Sequence, residues 1–72
     1  MSSVDIQRIE RLVRDLIKEF GLDCNLVRVH TQDNMWKVLV RHADGREVEF
    51  DVLYGPPAQV RESMKKHLEI EC

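Results

Sequence analysis

Three carboxylates, Glu47, Glu49 and Asp51, alternate along "REVEFDV" directly after a glycine turn. Alternate acids on one strand face are what a divalent-metal site or a metal-dependent nuclease needs, because a hard cation is held by convergent oxygen ligands. The other residues with chemical capacity are His30, His42 and His67, the thiols of Cys24 and Cys72, and a set of cations: Arg8, Arg11, Arg14, Lys18, Arg61, Lys65 and Lys66. What any of them can do depends on the neighbours that the surrounding elements supply.

Ile6, Ile9, Leu12, Val13, Leu16, Ile17 and Phe20 recur at the spacing of one helical face, with charge on the opposite face. This predicts an amphipathic helix beginning near Val4. Ser3 or Ser2 can cap it, and Asp5 suits its positive first turn. Gly21 is placed to end it in the left-handed conformation, with Leu22 folding back onto the last turn. The runs "NLVRVHT", "MWKVLVRH" and "REVEFDV" then alternate apolar with polar residues, which predicts three half-buried strands. Val27 and Val29 are expected inward on the first, with Arg28 and His30 outward. A second helix is expected from Pro56 or Pro57, with Val60, Met64 and Leu68 as its buried seam and Cys72 continuing it. Short connections make the strands an antiparallel meander. Two apolar helix stripes and one apolar sheet face are buried most economically with both helices on that face. The predicted fold is a two-layer α+β sandwich, α-β-β-β-α, with residues 1–72 as a single domain.

Parity tests the hairpin between the second and third strands, because directly opposed residues share a face. A two-residue Asp44-Gly45 loop would set Val40 against Glu49. A three-residue Ala43-Asp44-Gly45 loop pairs His42 with Arg46, Val40 with Val48, Val38 with Phe50 and Trp36 with Val52. The longer loop keeps both patterns intact, with Gly45 in the left-handed position. It also sets Glu47 opposite Arg41 and Asp51 opposite Lys37, so the acids read as an ion-paired outer face rather than a metal site. Around Asp33-Asn34 the same test favours a loop of two or four residues. A nuclease of the two-metal type would carry a lysine two places after an acid on the third strand, and none stands there.

Net charge is −2, with 43% hydrophobic and 33% charged residues, the balance of an ordinary globular domain. No apolar run approaches the roughly 20 residues of a membrane span, and "MSSVDIQRIE" has no apolar core of a signal peptide. Cys24 and Cys72 match no zinc or redox spacing and are expected as free thiols in a reducing cytoplasm, the alternative being a Cys24–Cys72 bridge that ties the chain end to the first loop. No two histidines have the spacing of metal ligands, no serine or cysteine sits in a nucleophile signature, and the glycines do not form a phosphate-cradling loop. No catalytic residue, cofactor or metal is therefore expected. Trp36 and Tyr54 are expected at the core and its edge.

Arg11, Arg14 and Lys18 project together from the first helix away from its apolar face, with Arg8 nearby, and Arg61, Lys65 and Lys66 are expected exposed on the second. A stripe of this kind can follow phosphates, although Glu10, Asp15 and Glu19 flank it and can neutralise it by helical pairing. The element order resembles that of the double-stranded RNA-binding domain. That resemblance implies minor-groove contacts by the first helix and first hairpin loop, and phosphate contacts by lysines opening the second helix. Here the hairpin loop reads "TQDNM" in place of Gly-Pro-x-His, and the second helix opens "PPAQVRE", with Lys65 and Lys66 about two turns later. The function expected is a non-enzymatic protein-interaction module, a monomer or weak homodimer without membrane contact, with double-stranded RNA binding through the first helix as the alternative. The exposed sheet face, with Leu26 and Leu39 as its apolar spot, and the strand edges are the surfaces expected to serve it.

Overall fold

A computed structural model describes residues 3–72, with side chains from Asp5 onward. The order is α1 (Ser3–Glu19), β1 (Cys24–Gln32), β2 (Met35–His42), β3 (Glu47–Leu53) and α2 (Pro57–Glu71). The strands form one antiparallel sheet, β1-β2-β3, and the helices pack on it, as the alternation and helical spacing require. The expected serine cap of α1 falls on side chains outside the described residues. Among those described, no helix is long and apolar enough to cross a membrane.

The α1 stripe contributes Ile9, Val13 and Leu16 to the core, the sheet contributes Val38, Val40, Phe50 and Val52, and α2 contributes Val60, Met64 and Leu68. Full burial of one such side chain stabilises by about 1.5–3 kcal/mol. α1 ends where expected. Gly21 sits at φ +60°, its N–H donates to the Lys18 carbonyl at 3.3 Å, and the Leu22 N–H donates to the Ile17 carbonyl at 3.0 Å. That pair of bonds satisfies carbonyls the helix leaves open, and Leu22 packs against the core beside Ile17.

Both hairpins follow parity. Ala43, Asp44 and Gly45 form the three-residue loop, closed by the His42 N–H donating to the Arg46 carbonyl at 2.7 Å, with Gly45 at φ +96°. Val40 faces Val48, Val38 faces Phe50 and Trp36 faces Val52. In the first hairpin Gln32 faces Met35, so the loop is the two-residue Asp33-Asn34. Both loop residues have positive φ, +52° and +60°, the backbone that matches strand twist in a tight hairpin.

Three expectations need correction. The β1–β2 register shifts between Leu26 and Arg28, so Val27 is the extra residue of a bulge. A bulge inverts side-chain parity. Cys24 is therefore buried and Leu26 turns onto the core, whereas Val27, expected inward, is 41% exposed. Phe20, expected on the buried stripe of α1, lies past the end of the helix and is 42% exposed. Finally, Cys24 and Cys72 are not free thiols. They form a disulfide across 6.0 Å between their Cα atoms. The bulge turns Cys24 inward, and the four-residue seam of α2 ends on Cys72, so the two sulfurs meet under the sheet.

Candidate functional site

α1 and α2 approach each other at one end. The Arg61 guanidinium donates from Nη2 to Glu19 Oε2 at 3.2 Å, and the Lys65 ammonium lies 5.2 Å from the centre of the Phe20 ring. Toward the start of both helices they leave an open groove of about 420 Å³. Its lining is mostly apolar, from Ile9 and Leu12 of α1, Trp36 of β2, and Pro57 and Val60 of α2. Arg8, Arg61 and Asp5 also line it, so two guanidinium groups stand there against one carboxylate. Arg8 forms no ion pair among the described residues.

Trp36 is held in place from behind. Its ring centroid is 4.8 Å from that of Tyr54, tilted by 45°, and it is only 8% exposed. The indole is thus a core residue, as expected, and also one wall of the groove. Volume, apolar lining and a few charged groups are the ordinary attributes of a binding cleft. The alternation that sets Trp36 inward was legible. The gap beside it was not, because the distance between two helices depends on how they cross.

The seven cations do not form one patch. Arg8 and Arg61 share the groove. Arg11, Arg14 and Lys18 are exposed on the outward side of α1. The helical pairing expected for Glu10, Asp15 and Glu19 is not formed among the described residues, and Glu19 reaches across to Arg61. Lys65 is half-buried over Phe20, and Lys66 is exposed. No cation opens α2, whose first residues are Pro57, Ala58 and Gln59.

The acids of β3 lie as the register demands. Lys37 Nζ donates to Asp51 Oδ1 at 3.0 Å, and Arg41 Nη2 donates to Glu47 Oε2 at 2.7 Å. Glu49 faces Leu39. The hydrogen bond from Lys37 to Asp51, strengthened by the charge of that carboxylate, raises the ammonium's pKa above its ordinary value. Among the described residues no three His, Cys, Asp or Glu side chains are grouped to hold a metal ion. His30 pairs with Lys37 on the outer face, and His67 stacks on Phe50 at 5.0 Å, with the ring planes 7° apart. The apolar spot of the outer face is not Leu26 with Leu39. Leu39 is half-buried there, and Leu53, opposite Met35, is 69% exposed.

Comparison with known protein families, with curated proteins and with solved structures finds no match for the chain. The chemistry of its own surfaces carries the functional reading.

Proposed function

We propose that this protein is a non-enzymatic interaction module that holds an acidic amphipathic segment of a partner protein in the groove between α1 and α2. The observation that carries this is the open apolar cleft of about 420 Å³ with Arg8 and Arg61 in its lining. A helix laid between two helices buries its apolar stripe against Ile9, Leu12 and Val60, while acids at its edges meet the guanidinium groups. Arg8 contributes most to that selection, since Arg61 already has Glu19 as a partner. Trp36 is the only tryptophan in the chain, so its fluorescence reports occupancy directly. Titration with an acidic amphipathic helical peptide is expected to shift Trp36 emission, and Arg8→Glu to weaken that response. Emission and lining-residue amide signals that stay unmoved at millimolar peptide would overturn the proposal.

A second reading rests on a different observation. Arg11, Arg14 and Lys18 are exposed on α1 and form no ion pair among the described residues. Cations left free in this way can follow the phosphates of duplex RNA. A salt-sensitive mobility shift with duplex RNA that is lost in Arg11→Glu/Arg14→Glu supports it. No shift at low salt removes it.

For location, the bridge replaces the argument from free thiols. We place the working protein where disulfides form and persist, instead of the reducing cytoplasm expected from unpaired cysteines. Alkylation at the moment of cell lysis is expected to leave both cysteines unmodified, and two alkylated thiols would restore the cytoplasmic reading.

A further inference from the structure

The open edge of β3 is a second surface, separate from the groove. β3 is an outer strand of the sheet, and among the described residues it pairs with β2 alone. Backbone groups alternate in direction along an antiparallel strand. Because the hairpin closes on the His42–Arg46 pair, Val48, Phe50 and Val52 turn their N–H and C=O groups toward β2. Glu47, Glu49, Asp51 and Leu53 turn theirs away. β1, the other edge, is interrupted by its bulge at Val27, which protects it from strand addition. β3 has no register shift against β2 over its seven residues.

Beside this edge, between it and α2, lies a notch of about 220 Å³. Gln59, Ser63 and His67 of α2 line it, with Asp51 to Tyr54 of the strand. A chain added to β3 would bring alternate side chains to this notch and the others to the outer face. On that face the added side chains would meet the row Glu47, Glu49 and Asp51. Glu49 forms no ion pair among the described residues, and Glu47 and Asp51, though paired with Arg41 and Lys37, each keep 42% of the side chain exposed.

We propose that β3 takes up an extended basic segment of another protein as a fourth strand, with lysine or arginine at alternate positions facing Glu47, Glu49 and Asp51. Backbone hydrogen bonds supply affinity, and the acids together with the notch supply selection. A second copy of this chain fits poorly. Two β3 strands paired about Glu49 would set Glu49 against Glu49 and Glu47 against Asp51, and like charges directly opposed are destabilising.

The probe is an eight-residue peptide alternating lysine with threonine, titrated while the backbone amides of the full chain are followed by NMR. The largest shifts are expected at Glu47–Leu53, with half-saturation at or below about 1 mM, the scale of a weak specific contact. Glu49→Lys is expected to weaken binding about fivefold, since it converts an attractive cross-strand pair into a repulsive one. Glu49→Pro removes an N–H that points away from β2, so the sheet is kept while the edge is blocked, and binding is expected to vanish. The proposal is overturned if the shifts map to Arg8, Leu12 and Val60, if a glutamate-for-lysine peptide binds equally well, if Glu49→Pro binds as the wild type does, or if no peptide binds. Concentration-dependent shifts at β3 without peptide would overturn it in favour of self-pairing.

Discussion

At the scale of single residues, Gly45 decides what the acids of β3 are. At φ +96°, with nothing within 4 Å of where a Cβ would stand, it is needed for its backbone conformation and not for space. Gly45→Ala is expected to cost about 1 kcal/mol, the strain of a left-handed L-residue. Gly45→Asn is expected to cost less, and urea unfolding of the two variants checks the order. Asp44 in the same loop has a different dependence. It accepts the Arg46 N–H at 3.0 Å and the Arg46 Nε at 3.0 Å. The backbone hydrogen bond first, and then the guanidinium charge, hold its carboxyl below the ordinary value. A depressed folded-state pKa stabilises above the unfolded-state pKa, and that contribution is lost as pH falls through the folded value. The stability difference between wild type and Asp44→Ala is therefore expected to be constant near neutrality and to shrink below about pH 4, the ordinary carboxylate range. Denaturation midpoints at pH 7 and pH 3 measure it.

At the scale of elements, the alternating strands were legible because period two has only one consistent pairing for each loop length. Trp36, Val38 and Val40 could face Val48, Phe50 and Val52 only through a three-residue loop. The tight first hairpin follows the same logic. Asn34 holds φ +60°, so Asn34→Gly is expected to stabilise by a few tenths to about 1 kcal/mol, and Asn34→Val to destabilise by more. Thermal melts give both signs. The bulge was not legible, because Leu26 and Val27 are adjacent apolar residues and alternation does not say which turns inward. One signal for it was present. Cys72 continues the α2 seam, so a bridge to Cys24 requires Cys24 on the core face, out of step with Val29, and one extra residue between them restores the step. The groove was the least legible feature. Its apolar side chains Ile9, Leu12, Trp36 and Val60 read as core from their spacing, and Arg8 and Arg61 as outward cations, and that pattern does not show that they border one gap between the helices.

At the scale of the whole molecule, 72 residues give a small core, and the bridge bears on whether that core suffices. A domain of this length is stable by about 4–11 kcal/mol at typical values per residue. Cys24 and Cys72 are 48 residues apart. Closing a loop of that length in the unfolded chain is worth about 4 kcal/mol in the chain-entropy treatment. The bridge is therefore comparable to the whole net stability at the lower end of that range. It adds to the burial of Val60, Met64 and Leu68, since the polar ties of α2 are weak. The described ion pair that joins α2 to the rest of the chain is Arg61 to Glu19, between partly exposed side chains, and exposed pairs of that kind contribute at most about 1 kcal/mol. Reduction, or Cys24→Ala/Cys72→Ala, is expected to lower the melting temperature by at least about 15 °C, given 4–8 °C per kcal/mol for a domain of this size. Loss of α2 is expected first, seen as early exchange of the Met64 and Leu68 amides. Both helices form the groove and α2 walls the notch beside β3, so the reduced chain is also expected to lose Trp36-reported peptide binding before it unfolds globally. An unchanged melting temperature in reductant would show that hydrophobic packing alone holds α2 on the sheet.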